Sequence, residues 1–451
     1  MGRLFGTDGV RGVANRDLTP ELAFQLGRVG AHILVNKKGK TAGPGRLLVG
    51  RDTRVSGGML EAALVAGITS TGVHAELLGV VPTPGVAYLI RKLKADAGVM
   101  LSASHNPIAD NGIKFFDAHG YKLDDELEEE IENCLTTERS NEIPRPVGLE
   151  VGRVLHRTTA AEEYTKYLVT TIGRCFAGST VVLDCACGAT YSVAPQVFAE
   201  LGAEVISLHA EDDGSRINVC CGSTDPTALQ EEVVRRGAQI GFAYDGDGDR
   251  VIAVDEKGEL IDGDQILGIC GLELMAKGRL PHKTIAVTVY SNLGLIETFR
   301  EAGGAVVVTE NGDRKVLSAM LQKGLVLGGE QSGHIIFLEH NSTGDGILTS
   351  LQLMNALLQA GQPISELKKK IRKFPQILRN VPVARKEEWV ENRRINEVIT
   401  RFQQQLGEKG RIFVRASGTE PLIRVMAEGP DEEEIGKIVD EIAGVIAEEL
   451  E

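Results

Sequence analysis

Three carboxylates stand at alternate positions in Ala243-Tyr-Asp-Gly-Asp-Gly-Asp-Arg250, with glycine between them. Asp245, Asp247 and Asp249 crowded in this way must gather around a cation or repel one another strongly. They match positions 1, 3 and 5 of a helix-loop-helix calcium site, with Glu256 at position 12, but Arg250 stands where that loop needs glycine. The flanks Gly241–Tyr244 and Val251–Val254 are β-like, so the spacing predicts a tight loop between two strands that holds one hard cation. Mg²⁺ suits three acidic ligands with positions left open for phosphate oxygens. A second segment, Leu101-Ser-Ala-Ser-His-Asn-Pro107, follows the apolar run Ala97–Leu101 and puts Ser104 where a strand opens into a loop. Ser, His and Asn together suggest a hydrolase, but no G-x-S-x-G elbow is present, and neighbours in an extended loop point apart. Taken alone, this loop reads as an Asx-type turn closing a strand.

Two further segments have the composition of binding sites. In Leu327-Gly-Gly-Glu-Gln-Ser-Gly-His334, Glu330 and Ser332 lie two residues apart and share a face if the chain is extended. A carboxylate and a hydroxyl so placed suit sugar hydroxyls, and a structural turn is the alternative. Arg415-Ala-Ser-Gly-Thr-Glu-Pro-Leu-Ile-Arg424 has the composition of a phosphate cradle: Ser417, Gly418 and Thr419 offer hydroxyls and close N–H groups, and Arg415 and Arg424 offer guanidinium forks. A helix cap is the alternative there, but the run from Leu422 reads as a strand. Gly6-Thr-Asp-Gly-Val-Arg-Gly12 brings Arg11 to a loop, and Asp110-Asn-Gly-Ile-Lys114 places Lys114 just after the serine loop.

These segments hang on a recurring strand–loop–helix–strand unit. It begins at Leu47–Gly50, at Val181–Asp184 and at Ile285–Val289, with helices around Met59–Thr71, Ala194–Leu201 and Leu293–Ala302. Second strands follow at Ala75–Leu78, Glu204–Leu208 and Ala305–Thr309, and Gly72, Gly202 and Gly303 sit where a left-handed residue ends each helix. Such units imply right-handed crossovers and mainly parallel sheets. After about residue 370 the order changes to strands at Ile377–Val383, Arg411–Val414 and Ile423–Ala427, with a helix over Val390–Leu406. A final helix aligns Ile435, Ile438, Val439, Ile442, Ile446 and Leu450. The fold expected is α/β: three related α/β/α domains with mixed, mainly parallel sheets around a central cleft, then a smaller C-terminal α+β domain. The boundaries are drawn at 1–155, 156–254, 255–370 and 371–451, with the hinge at Phe374–Asn380.

Composition narrows the function. The 451 residues carry 49 Lys plus Arg against 63 Asp plus Glu, a net charge of −14, which argues against nucleic acid or an anionic membrane as partner. No apolar run approaches the roughly 18 residues of a membrane span, and the N-terminal residues have no apolar export core, so a cytoplasmic location is expected. Seven cysteines are too sparse for a disulfide scaffold. Cys185-x-Cys187 and Cys220-Cys221 lack zinc spacing and an accompanying His cluster, so they read as buried or incidental thiols.

Together, and in this order, Ser-Ala-Ser-His-Asn-Pro, Asp-Gly-Asp-Gly-Asp-Arg, Gly-Glu-Gln-Ser-Gly-His and Arg-Ala-Ser-Gly-Thr-Glu-Pro resemble the motifs of the α-D-phosphohexomutase superfamily over essentially the whole chain. Gln331, Ser102 and Phe5-Gly-Thr-Asp-Gly-Val-Arg-Gly12 resemble its amino-sugar branch more than the phosphomannomutase/phosphoglucomutase branch. The resemblance implies interconversion of glucosamine 6-phosphate and glucosamine 1-phosphate, supplying an amino-sugar precursor of UDP-N-acetylglucosamine. The alternatives are a phosphomannomutase/phosphoglucomutase or an inert phosphosugar-binding protein. It implies that Ser104 carries a phosphoryl group and, with Asp245, Asp247 and Asp249, ligates Mg²⁺. Glu330 and Ser332 would contact the sugar, and Arg415, Ser417, Gly418, Thr419 and Arg424 the non-reacting phosphate. Arg11, His105, Lys114, Arg250 and His334 would lie in or near the cleft, with Lys114 and His334 as candidate proton movers. Glucosamine 1,6-bisphosphate or glucose 1,6-bisphosphate is the expected activator, the last domain is expected to rotate to close the cleft, and a homodimer is left open. Cys187, Asp225 and Asn311-Gly-Asp-Arg-Lys315 depart from what the resemblance leads one to expect, the last on a loop expected to face substrate.

Overall fold

The computed structural model describes residues 4–6, 8–36, 45–137, 142–417 and 421–451. By contact the chain falls into two compact units, 1–289 with 306–369, and 290–305 with 370–451.

The first unit holds three mixed sheets. The first is built from β1 (Val10–Val13), β2 (Arg46–Arg51), β3 (His74–Val80), β4 (Ala97–Leu101), β5 (Asp110–Phe116) and β6 (Val154–His156), in the order β1-β5-β4-β2-β3-β6. β2 runs parallel to β3 and β4, and β5 runs antiparallel to β1 and β4. Successive side chains of β2 feed opposite cores. Leu47 and Val49 pack with residues of helices Pro20–Ala31 and Gly57–Thr69, and Leu48 packs with residues of helix Thr83–Leu93. A strand buried on both faces needs this continuous apolar run rather than alternation with polar residues. β6 straddles the boundary drawn at residue 155 and joins the first sheet beside β3.

The second sheet contains β7 (Thr180–Asp184), β8 (Glu204–Leu208), β9 (Ile240–Tyr244), β10 (Val251–Asp255) and β11 (Leu260–Ile261), ordered β11-β10-β9-β7-β8. β9 and β10 are antiparallel neighbours, Tyr244 opposite Val251, so the three aspartates sit in the tight loop expected between two strands. The third sheet contains β12 (Thr284–Thr288), β13 (Ala305–Thr309), β14 (Leu327–Gly329) and β15 (Ile335–Phe337), ordered β13-β12-β14-β15. All three expected strand–helix–strand units are present, and Gly72, Gly202 and Gly303 have φ of 87°, 89° and 76°.

The second unit has β16 (Gln376–Pro382), β17 (Arg411–Ala416) and β18 (Leu422–Glu428) as an antiparallel sheet with β18 central. Helices Arg393–Leu406 and Glu432–Leu450 share one core with it. All six residues expected to line one face of the last helix are buried there. Helix Leu293–Glu301 belongs to this unit as well: its Thr298 Oγ1 accepts from Arg372 N at 3.0 Å, and its cap Asn292 donates to Phe374 O at 2.9 Å. Among the described residues no helix is long and apolar enough to cross a membrane.

Candidate active site

The serine loop follows β4, the aspartate loop follows β9, and Glu330 follows β14. Functional loops gather at the carboxyl ends of strands in α/β sheets because the rigid sheet sets their spacing. The backbone of the aspartate loop approaches that of the serine loop so closely that a Cβ on Gly246 would stand 2.6 Å from the Ser104 carbonyl oxygen. Only glycine leaves that space.

Ser104 is buried, with φ of 55°, and its hydroxyl donates to the Asp245 carboxylate. The left-handed backbone turns His105 back toward the hydroxyl, and its Nδ1 lies 3.3 Å from Ser104 Oγ. The expectation that these neighbours point apart is therefore corrected, because it assumed an extended loop. Asp245, Asp247 and Asp249 are all buried, each with a ligand atom within 4.8 Å of the others. Burial, with Asp247 and Asp249 beside it, pushes Asp245 well above the usual carboxylate range. Lys114 Nζ lies 2.7 Å from Asp247, 3.0 Å from Asp8 and 4.0 Å from Asp249. Burial opposes its charge, but these aspartates outweigh that effect and raise its pKa. One Lys does not satisfy the cluster: Oδ1 of Asp247 and Oδ1 of Asp249 are buried without a hydrogen-bond partner among the described residues. Three convergent carboxylates with orphaned oxygens fit a metal ion.

His334 closes the other side. Its Nδ1 lies 3.5 Å from Asp249, and its Nε2 accepts from Gly344 N–H at 3.1 Å, which leaves the proton of the neutral ring on Nδ1. Burial lowers its pKa, but Asp249 and Asp313 outweigh it, and the net shift is upward. His105 differs: burial first, then Arg250 and Arg11, bring it down to about 4, so it is neutral at pH 7. Arg250 Nε lies 3.8 Å from Asp249, and its backbone N–H donates to Asp245 at 3.2 Å. Arg11 pairs with Asp8 and reaches Asn106 Oδ1 at 3.3 Å. Ser332 Oγ donates to Glu330 Oε2 at 3.4 Å, but across a tight turn closed by Gly333 N–H to Glu330 O at 3.0 Å, so the segment takes the turn rather than the extended form, and Glu330 Oε1 accepts from Gly312 N at 3.2 Å. The structure thus brings Ser104, His105, Lys114, the three aspartates, Arg250, His334 and Arg11 into one polar network, with Glu330 near enough to act on Arg250 through its charge.

The basic loop belongs to the second unit. Arg415 and Arg424 are register partners on β17 and β18, and Arg415 lies 5.9 Å from the Tyr290 ring centroid. Ser417 is buried, and its carbonyl accepts from Lys386 Nζ at 2.9 Å. Gly418 and Thr419 lie outside the described residues.

Four family models match in turn, described as the phosphoglucomutase/phosphomannomutase α/β/α domains I, II and III and the C-terminal domain, at residues 2–142, 162–258, 262–374 and 378–445. A phosphoglucosamine mutase of Desulforamulus reducens is 53% identical over 446 residues, 99% of each chain. One of Moorella thermoacetica is 55% identical over 439 residues, 97% of this chain and 98% of the relative. The chain belongs to the phosphoglucosamine mutase family. A phosphoglucomutase/phosphomannomutase family protein of Burkholderia thailandensis has the same fold, with a TM-score of 0.83 over 98% of this chain and 97% of that one at 24% identity. Three α/β/α domains and a C-terminal antiparallel domain are therefore the architecture of this phosphoglucosamine mutase family member.

Several members of the network escaped the reading of the sequence. Lys122 bridges Asp8 and Asp313, and Thr83 Oγ1 donates to Asp247. Asp8 and Asp313 lay inside segments already singled out, Gly6–Gly12 and Asn311–Lys315, whereas nothing in the spacing marks Lys122 or Thr83. The cysteines also hold a correction. Cys221 does have a His beside it: Asp184, His209 and Cys221 offer ligand atoms within 4.8 Å of one another. The Asp184 carboxylate is already engaged, taking N–H bonds from Ala186 and Gly222 with His209 Nδ1 at 3.0 Å, so the cluster is satisfied without an ion.

Proposed function

We propose that the chain interconverts glucosamine 6-phosphate and glucosamine 1-phosphate, with Ser104 as the phosphoryl carrier. The observation that carries this reading is the Ser104 hydroxyl donating to Asp245 at the edge of a buried three-carboxylate cluster with orphaned oxygens. Phosphoserine 104 gives its phosphoryl group to one end of the hexosamine monophosphate, forming a 1,6-bisphosphate, and Ser104 then takes back the phosphate from the other end. His105, neutral at pH 7 and 3.3 Å from Ser104 Oγ, suits removal of the hydroxyl proton when the serine receives phosphate. Lys114 and Arg250 hold fixed positive charge against the transferring group, which is where most phosphoryl-transfer catalysis lies. His334, with a raised pKa, is the proton donor toward the sugar, while Lys114, which Asp247 and Asp8 hold in its charged form, acts as a fixed cation rather than as a second proton mover.

Asp245, Asp247 and Asp249, with Ser104, would hold Mg²⁺, which when bound neutralises charge on phosphoryl oxygens. Glu330 and Ser332 take the sugar hydroxyls and amine. Arg415, Ser417, Gly418, Thr419 and Arg424 take the phosphate that does not react, and Lys386 steadies the carbonyl of Ser417. Glucosamine or glucose 1,6-bisphosphate serves as activator.

Glucosamine, glucose and mannose phosphates assayed side by side with catalytic bisphosphate test the reading. Glucosamine 6-phosphate should give the highest kcat/KM and glucose 1-phosphate slow, measurable turnover, since one changed polar contact in a dry site is worth about 1–3 kcal/mol. A mannose or glucose phosphate as clearly the best substrate would overturn it.

A further inference from the structure

β2 and β4 are parallel neighbours in register, Arg51 opposite Leu101, so the loops after them emerge side by side at the same end of the sheet. Asp52–Arg54 follows one strand and Ser102–Ser104 the other. Arg54 is fully buried, and its guanidinium is spent on the serine loop. Nη2 donates to Ser104 O at 2.9 Å and to Asn106 O at 2.8 Å, while Nη1 donates to Pro107 O at 2.7 Å and Asp110 O at 2.8 Å. Nε donates to Asp52 Oδ2 at 3.1 Å, and that oxygen also accepts from Ser102 Oγ at 2.6 Å. Ser102 Oγ in turn accepts the Ser104 N–H at 2.8 Å. A second donor, Asn218 Nδ2, reaches the same Ser104 carbonyl at 2.8 Å from the loop after β8.

Both backbone groups of Ser104 are thereby fixed, one through Ser102 and the other by Arg54 and Asn218. They are fixed in a conformation that serine does not favour: φ of 55° is left-handed, and such a residue persists only where its surroundings over-determine it. A hydrogen-bonded Arg fork serves this purpose where Lys, with a single point charge, reaches fewer of four carbonyls.

We infer that Arg54, acting through Asp52 and Ser102 and seconded by Asn218, is a positioning residue that holds Ser104 left-handed and so aims its oxygen at the aspartate cluster and the incoming phosphoryl group. The inference rests on the reading of Ser104 as phosphoryl carrier. It assigns Arg54 no contact with substrate; its work is to keep the oxygen from wandering between the two transfers, when the serine is alternately loaded and bare.

The test uses full-length, dephosphorylated protein with Mg²⁺ and labelled glucose 1,6-bisphosphate, quenched in time and mapped by peptide for label on Ser104. Melting temperature, Mg²⁺ affinity and the KM for sugar phosphate are measured beside it. Arg54→Lys should slow labelling on the order of 10²-fold, the effect of a small misplacement of a reacting atom, while KM and Mg²⁺ affinity stay within about threefold. Asn218→Gly leaves the buried Arg54–Asp52 pair intact, suits the left-handed backbone of residue 218 (φ of 58°) and should slow labelling about fivefold, the worth of the lost bond to Ser104 O. A structural role alone would lower the melting temperature and leave the rate per folded molecule unchanged, and that result overturns the inference. If Arg54→Lys does not fold, Asn218→Gly decides, and an unchanged rate there overturns the inference. Failure of the wild-type protein to take label on Ser104 would instead remove the carrier reading, and this inference with it.

Discussion

At the scale of single residues the site is an excess of negative charge awaiting a cation. Asp247 shows how the balance is struck: one oxygen takes Lys114 and Thr83, and the other is buried and unpartnered. Asp247→Asn keeps an oxygen for Lys114 and Thr83 and removes a like charge beside Asp245. The metal-free variant should therefore melt within a few degrees of wild type, a change of about 1 kcal/mol or less. Turnover should fall on the order of 10²-fold or more, because charge on the transferring group loses its neutralisation. Calorimetric Mg²⁺ titration and a steady-state assay check both halves; an unchanged Mg²⁺ affinity and rate would make the triple-aspartate loop only a turn. The two histidines divide the acid–base work by environment, since burial among cations holds His105 neutral and carboxylates hold His334 toward charge.

At the scale of elements, the loops after β4 and β9 must touch, and Gly246 is where they do. In Gly246→Ala the new Cβ would stand 2.6 Å from Ser104 O and 2.9 Å from Asn218 Nδ2, so the serine loop has to shift. Turnover should drop on the order of 10²-fold, and stability should fall by about 1–3 kcal/mol as in other overpacked sites. Kinetics and thermal melting read this together, and a fully active alanine variant would show that the loops need not approach. Much of this scale was legible in the sequence. The six apolar positions of the last helix keep helical spacing, the strand Glu204–Leu208 is bounded by turn residues, and the β-like flanks of the aspartate loop excluded a helix-loop-helix calcium site. What stayed hidden depends on backbone shape and long-range pairing. Serine carries no mark of a left-handed φ, so the approach of His105 to Ser104 was unreadable. Lys122 meets Asp313 across 191 residues, and Arg54 meets Ser104 only because β2 and β4 are neighbours in the sheet.

At the scale of the whole molecule, two units with separate cores make two handles. Ile442 is fully buried in the core of the second unit, and the aspartate cluster lies in the first. Calorimetry should resolve two transitions. Ile442→Ala should destabilise the second unit by about 2–5 kcal/mol through the cavity it leaves, and added Mg²⁺ should raise the transition of the first unit by mass action. A single transition that moves equally with both changes would contradict this division. The central claim, that Ser104 carries the phosphoryl group, is tested most directly by mass spectrometry of the protein after incubation with glucose 1,6-bisphosphate. Wild-type protein should yield chains heavier by one phosphate, mapped to Ser104 rather than Ser102, and Ser104→Ala should yield no such species and almost no turnover. Phosphate on another residue, or near-normal turnover by Ser104→Ala, would contradict it.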